Sequence, residues 1–447
     1  MPLFQAAASF SPSGDSFVSG ARCVICGRRF DPAYLNNACV CPDHGDEGIL
    51  DIEYDYEAAS ARFPASEQPG LWRYRALLPL PWTAPLPPPL TGLTPLYDAP
   101  ALARAVNCAR VLIKDDTRQP TGSFKDRASC LAVALARVQG APVVATASTG
   151  NAAAALAGMA AAMHQTCVIF VPVSAPAAKV AQPLAYGAHV ILVRGTYDQA
   201  FALCMEACRR KGWYNRNTAY NPCMAEGKKS AAFEIAEDMG WQTPDAVFVG
   251  TGDGCILAGL HKGFSDLLRL GRTARIPRLY GVQAEGSDFL CQAWEEGRRT
   301  AHAVLAKAPI AARTAADSIC AGLPRDRIKA MRAVCESRGR FVRVSDTEIL
   351  SAVPALARAC GVFAEPAGAA PLAGLARAAR QGLIAPGDTV CLVVTGSGLK
   401  DPGAVTAALS LPETVEGPVS VDPDPAALDD ALFRLGLETK HSPFSSL

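Results

Sequence analysis

Neither sign of charge is in excess in this chain. Its 447 residues carry 43 Lys and Arg against 42 Asp and Glu, a formal net charge of +1. That balance offers no electrostatic footprint for nucleic acid or an anionic membrane surface, so no nucleic-acid and no membrane partner is expected. Long apolar runs are also lacking, because Gly, Pro, Ser or a charge interrupts each one well short of membrane-spanning length. The stretch from Met1 to Gly20 has neither a basic n-region nor a continuous apolar core, which predicts no export signal there. Without such a signal, 16 cysteines point to a reducing compartment rather than to disulfides, and the expected location is cytoplasmic. What the chain does have is apolar content: 50% hydrophobic and only 19% charged residues describe a globular protein with a large core. The length suits a two-lobed body or a few domains.

Four zones succeed one another. Residues 1–56 form a cysteine-containing N-terminal unit. Residues 57–90 form a connector whose Leu78–Trp82 and Pro87–Pro89 are too proline-dense for a helix or a central strand. From 91 to 411, short β-branched runs alternate with Ala-rich runs, and a smaller lobe is expected over about 141–224. The tail, 412–447, is rich in Pro, Asp and Ser and is expected to pack loosely. Within the third zone, strands are predicted at 141–146, 167–173 (closed by Pro172 and Pro176), 189–193, 246–250, 279–283 and 390–395. Helices are predicted at 128–138, 151–163 and 256–268. Continuous apolar strands alternating with helices predict an α/β fold whose parallel sheets are covered on both faces. In such sheets ligands lie beyond the carboxyl ends of the strands, which singles out the loops starting near Ala147, Gly250 and Thr395.

The segment Gln119-Pro-Thr-Gly-Ser-Phe-Lys125-Asp-Arg127 places one lysine after a turn-rich approach and at the start of an apolar helix. A single lysine is ordinarily a solvated surface residue. Held in a cleft, however, it can form a Schiff base with an aldehyde cofactor and shuttle protons. After the strand at 141–146 comes Ser148-Thr149-Gly150-Asn151, whose hydroxyls and backbone N–H groups at a helix start suit a carboxylate, or serve simply as a cap. Gly250-Thr251-Gly252-Asp253-Gly254 follows the strand at 246–250. Its glycines permit close approach of a phosphate to a helix N-terminus, although a carboxylate at Asp253 must point away or cap the helix. Thr395, at the end of the last strand, offers a hydroxyl.

A lysine, an asparagine, a glycine cup and a terminal hydroxyl match the needs of pyridoxal phosphate. In motif order and spacing the chain resembles the threonine synthase group of fold-type II (tryptophan synthase β-like) pyridoxal phosphate enzymes. The resemblance rests on Pro120–Arg127, Ser148–Asn151, Gly252–Gly254, Phe363–Ala369 and Thr395–Asp401, and it spans roughly residues 20–405. It implies a two-lobed α/β body with parallel sheets flanked by helices, and a homodimer. It further implies that Lys125 is the Schiff-base lysine, that Asn151 meets the cofactor's ring hydroxyl, and that Thr251, Gly252, Asp253 and Gly254 enclose its phosphate. Thr395 would meet the pyridine nitrogen, where a neutral hydroxyl draws electrons less than an acid would and suits elimination or replacement at the β or γ carbon. Ser148 and Thr149 would hold the substrate carboxylate.

In the N-terminal unit, Cys23-Val-Ile-Cys26 and Cys41-Pro-Asp-His44 are paired-ligand turns that suit a tetrahedral, structural zinc, with Cys39 as a substitute ligand. Free cysteines are the plain alternative. Some threonine synthase relatives carry a similar zinc-ribbon-like element, and no basic cluster here suggests a nucleic-acid role for it.

The chain departs from the family at two places. An arginine that serves the substrate's phosphate in the segment Asn221–Lys228 is replaced by Met224, which cannot bond phosphate, and Ala152 stands where Thr is common. Lys228, Lys229 and Arg216 are candidate compensators. The first reading is therefore conversion of O-phospho-L-homoserine to L-threonine and phosphate. In it Lys125 removes the α and then a β proton, phosphate leaves the γ carbon and water adds at the β carbon. The second is β-replacement or β-elimination on O-phosphoserine, serine or threonine, as in cysteate synthase or an ammonia-lyase. The third, from another class, is a non-catalytic zinc-ribbon and cofactor-binding adaptor.

Overall fold

The computed structural model describes residues 16–36, 39–88, 90–175, 177–410 and 418–437. Most of the stretch read for an export signal, Pro176, and the tail segments 411–417 and 438–447 lie outside the described residues.

Among the described residues, thirteen strands form three sheets. In chain order they are β1 (Val18–Cys23), β2 (Arg29–Phe30), β3 (Leu50–Tyr54), β4 (Leu96–Asp98), β5 (Arg110–Asp115), β6 (Val143–Ala147), β7 (Thr166–Pro172), β8 (His189–Val193), β9 (Tyr214–Asn215), β10 (Ala246–Gly250), β11 (Arg278–Ala284), β12 (Arg340–Val344) and β13 (Thr389–Val394). The large sheet has the order β12-β11-β10-β13-β5-β4 and is parallel except for the β4 edge. The small sheet, β8-β7-β6-β9, is parallel throughout. The third, β2-β1-β3, is antiparallel and belongs to the N-terminal unit.

The period of two along each strand explains the layering. In the large sheet Leu112, Val247, Val249, Cys391 and Val393 enter one apolar cluster, while their chain neighbours Val111, Ile113, Phe248, Leu392 and Val394 enter another. Residues on both faces are therefore buried, as near-continuous apolar strands covered by helices on each side require. The same alternation splits β7: Cys167, Ile169 and Val171 face one cluster, Val168 and Phe170 the other. Strands β5 and β12 were not anticipated from apolar runs. Charges break both, and in β5 Lys114 is buried by pairing with Glu234 at 2.8 Å rather than by being apolar.

Leu78–Trp82 and Pro87–Pro88 form neither α-helix nor strand, and Pro89 lies outside the described residues, yet the connector is not a loose tether. Leu71, Trp72, Tyr74, Leu77, Leu78 and Leu80 are all buried, and Gly70–Leu77 winds as 3-10 helix. In the tail, Pro425–Arg434 is helical and largely exposed, with Ala431 buried. The N-terminal sheet is stitched to the body by polar contacts. The Tyr54 hydroxyl donates to Glu226 at 2.6 Å, the Tyr56 hydroxyl to Asp266 at 2.7 Å, and Lys329 to the Leu50 carbonyl at 2.8 Å.

Candidate active site

Because the strands of both main sheets run parallel, their C-terminal loops gather at one end of each sheet. Lys125 reaches that end through its neighbours. Gly122 sits at φ +83°, a left-handed turn that favours glycine. Asp126 fastens the turn by accepting from the Thr121 backbone N–H at 2.7 Å. Arg127 points the other way, into a buried cluster in which it donates to Asp116 at 2.6 Å and to Glu234 at 2.6 and 2.7 Å. The loop after β13 then closes on this turn: Phe124 N–H donates to the Thr395 carbonyl at 2.9 Å and Ser397 N–H to the Gly122 carbonyl at 3.0 Å. Lys125, first residue of the helix Lys125–Val138, is thereby left beside Thr395.

A cavity receives them. Lys125, Thr218, Lys228, Thr395 and the whole loop from Gly250 to Cys255 line it. The loop packs so closely on its neighbours that only glycine fits: a Cβ on Gly252 would lie 2.8 Å from the Ile319 Cα, and one on Gly250 2.6 Å from the Ala367 carbonyl oxygen. Gly254 caps the following helix, Cys255–Arg269, at φ +89°. The carboxylate of Asp253 accepts from the Arg325 backbone N–H at 3.3 Å, away from the cup. Thr251 turns its hydroxyl back onto the Val249 carbonyl at 3.0 Å.

A second cavity adjoins, lined by Gly150, Asn151, Gln182, Ser318, Glu365 and Lys400 among others. The Asn151 amide donates to Glu365 at 2.9 Å and to Ser318 at 3.4 Å. Ser148 and Thr149 occupy the half-buried turn after β6 and line neither cavity; the Ser148 hydroxyl accepts from Gly150 N–H at 3.3 Å. Glu365, Ser318, Thr218 and Cys255 were missed as individual site residues. Only Glu365 left a trace, inside the Phe363–Ala369 segment.

Burial, and then the neighbouring Lys228, lower the Lys125 amine to about 8, against the attraction of Glu365. The amine is neutral above that value, and only the neutral amine attacks a carbonyl carbon. If Lys125 is the Schiff-base lysine that the family resemblance implies, the rate at which the protein captures an aldehyde cofactor should rise with pH and level off above about 8, which stopped-flow absorbance at a series of pH values checks. A capture rate flat between pH 6 and 9 would contradict this assignment.

The pyridoxal-phosphate dependent enzyme family matches residues 88–396. Over 405 residues the chain is 34% identical to the threonine synthase of Methanocaldococcus jannaschii, covering 90% of this chain and 97% of that protein. It is 35% identical over 418 residues to the threonine synthase of Methanosarcina acetivorans, covering 92% and 98%. The chain belongs to the threonine synthase family of pyridoxal-phosphate dependent enzymes. Among solved structures, the processed threonine deaminase isoform 2 of Solanum lycopersicum superposes with a TM-score of 0.59 at 22% identity, over 71% of this chain and 88% of that one, a likeness of fold. The fold-type II expectation is thus met.

The departure at Met224 now has a physical meaning. Its side chain is fully buried in the apolar cluster that also holds Leu131, Leu135 and Tyr214, and it does not line the cavity.

In the N-terminal unit, Cys23, Cys26, Cys41 and His44 place their ligand atoms within 4.8 Å of one another. The Cys26 and Cys41 sulfurs are 4.0 Å apart. Cys39 stands outside this group.

Proposed function

We propose that the protein converts O-phospho-L-homoserine to L-threonine and phosphate. The observation that carries this reading is the convergence of Lys125, the glycine loop and Thr395 on one cavity, in a chain that matches threonine synthases over nine-tenths of its length. The residues fit pyridoxal phosphate: a glycine loop lining the cavity at a helix start suits its phosphate, and a buried amine suits its carbonyl. Bound there, that cofactor supplies an electron sink for charge developing at the substrate's α carbon. Lys125 anchors it and then carries protons to and from the α and β carbons. Backbone N–H groups of Gly252, Asp253 and Gly254 would hold the phosphate, while Thr251, whose own N–H donates to the Val282 carbonyl at 2.8 Å, encloses it without donating from its backbone. Asn151, from the adjoining cavity, would serve the ring hydroxyl and Thr395 the ring nitrogen, while the turn Ser148–Thr149, which lines neither cavity, would have to move toward them to hold the substrate carboxylate.

The burial of Met224 and the methyl of Ala152 favour the second reading, action at the β carbon of O-phosphoserine, serine or threonine. A substrate panel read for phosphate, ammonia and amino-acid products separates the two. Phosphate and threonine released from O-phosphohomoserine alone is the expected result. Ammonia from serine or threonine, or cysteate from O-phosphoserine with sulfite, would replace it with the β-acting reading. Cofactor absorbance without turnover of any amino acid would leave a binding protein.

For the N-terminal unit we propose a structural zinc on Cys23, Cys26, Cys41 and His44. Tetrahedral thiolates around zinc stand about 3.8 Å apart, close to the separation of the Cys26 and Cys41 sulfurs. The His44 Nε2 is buried without a hydrogen-bond partner, as a ligand atom would be. Metal analysis should find about one zinc per chain, and Cys41→Ser should lose it together with thermal stability. Full stability in a metal-free Cys41→Ser protein would dismiss the zinc. The reading also includes a cytoplasmic homodimer. Support for the dimer comes from the edge strand β8 of the small sheet, whose Ile191 and Leu192 are exposed. Among the described residues no helix is long and apolar enough to cross a membrane.

A further inference from the structure

Glu365 is a buried acid that the mechanism above leaves unused, and it lines a cavity. Other acids in the interior are matched by cations: Glu226 by Lys229, and Glu234 by Arg127 and Lys114, each within 2.8 Å. Glu365 is 4% exposed and, among the described residues, makes no ion pair. A buried charge without a partner is costly, so its place calls for a reason.

The backbone fixes that place. Glu365 precedes the helix Pro366–Arg380 and could cap it, but its side chain makes no cap bond. Its N–H donates to the Gly396 carbonyl at 3.0 Å, next to Thr395 in the chain, and its Oε1 accepts from the Asn151 amide nitrogen at 2.9 Å. Gly396 makes room for this bond: a Cβ there would lie 2.5 Å from the Glu365 Oε1 and 3.3 Å from the Asn151 Nδ2. Glu365, Asn151 and Ser318 line one cavity, and Ser318 lines that of Lys125 as well.

An ionised carboxylate only accepts, so it selects the nitrogen side of the Asn151 amide. That nitrogen has two hydrogens. One serves Glu365, and the other has only the Ser318 hydroxyl at 3.4 Å, near the limit of a hydrogen bond. A closer acceptor entering the cavity can take it. Glu365 also faces Lys125. Burial, Lys228 and Arg216 lower that amine, while Glu365 and Cys255 act in the other direction. Burial pushes the Cys255 thiol up and keeps it neutral, which leaves Glu365 as the acid beside the amine. Burial pushes the Glu365 carboxyl up too, and Lys125, Asn151, Ser318 and Lys400 counteract it.

We propose that Glu365 is a positioning residue with two effects: it aims the Asn151 N–H at the ring oxygen of the cofactor, and its negative charge is the counterion of the Lys125 amine. The proposal rests on the reading of Lys125 and Asn151 as cofactor-binding residues given above.

Two readouts on the full-length protein test it, neither of them turnover: the pH dependence of pyridoxal phosphate capture, and the affinity for pyridoxal phosphate. Glu365→Gln keeps an oxygen for Asn151 but removes the charge. The amine then loses its proton more readily, so the capture plateau should begin about one pH unit lower than in the unmutated protein. Glu365→Leu removes the acceptor and Asn151→Ala the donor. Each should weaken cofactor affinity about tenfold, as loss of a hydrogen bond to a charged group does, and Asn151→Ala should leave the plateau in place. The double variant should lose little more than Asn151→Ala alone, because both changes act through one bond to the cofactor. An unmoved plateau in Glu365→Gln would overturn the proposal, and so would losses that multiply in the double variant. Glu365→Gln is nearly isosteric, so it reports even where Glu365→Leu unfolds the chain. If the unmutated protein shows no lysine-bound absorbance, the cofactor assignment itself falls, and this proposal with it.

Discussion

Lys125→Ala lowers turnover by about 10,000-fold, the upper range for removing a proton-transferring group, and abolishes the absorbance of cofactor bound to lysine. Two features set the size of this effect. Among the described residues the cavity lining offers only one other amine, Lys228, which ends a different helix, Cys223–Lys228. The amine of Lys125, lowered to about 8 by burial and by Lys228, is also the group best matched to carry protons near neutrality. Added alkylamines should return a small part of the activity, since the space of the missing side chain stays open. Retention of the lysine-bound absorbance in Lys125→Ala would remove this residue from the chemistry. Full turnover would do the same.

Arg127→Ala, two residues along, should act on stability. The guanidinium satisfies Asp116 and Glu234 together, all three being buried, and it also donates to the Ser230 hydroxyl at 2.9 Å. Burial would raise the Glu234 carboxyl, but Arg127 and Lys114 hold it well below the usual range, so it stays charged at neutral pH. Removing the arginine strands two carboxylates in the core, which costs about 3–5 kcal/mol. Denaturant titration should show the midpoint falling by that equivalent at unchanged slope. Arg127→Lys should recover only part of it, because an ammonium cannot bridge two carboxylates in a fork. The sign with pH follows from the depressed pKa. The pair's contribution is present above the ordinary carboxyl range and fades as acid protonates Glu234, so mutant and parent converge at low pH. A loss under about 1 kcal/mol would show that Lys114 alone suffices for Glu234.

These neighbours show what could be read from the chain and what could not. Lys125 was legible because its turn residues and the later loops each sit at the end of an apolar run, and parallel strands collect such ends in one place. The strands at β6, β7, β8, β10, β11 and β13 were legible for the same reason, their apolar runs being nearly unbroken. Arg127 carried no such signal: a buried arginine looks like a surface arginine until Asp116 and Glu234 arrive from other parts of the chain. Strand β5 was hidden by its own Lys114. Arg216 could be named as a candidate because it is near the departing Met224 in sequence. Its place is a three-dimensional fact: it is buried, donates to the Ser129 and Thr218 hydroxyls, and does not line the cavity. The role of Glu365 was obscured in the same way, since its bond to Asn151 joins residues 214 positions apart.

The bonds between the N-terminal sheet and the body have an engineering consequence. Tyr54 ends on Glu226, two residues from the cavity's Lys228, and its ring lies under the Lys229 ammonium at 4.1 Å. Val18, Ile52 and Tyr54 share one apolar cluster with Val247 and Phe264 of the body. The N-terminal unit is thus not a cassette that can be trimmed to make a shorter enzyme or transplanted onto another scaffold. A chain restarted after residue 56 would expose that apolar face and leave the carboxylate of Glu226 without its phenol, one turn from the residues that shape the pocket. Shortened versions of this protein should be sought at the other end, where the helix Pro425–Arg434 is mostly exposed.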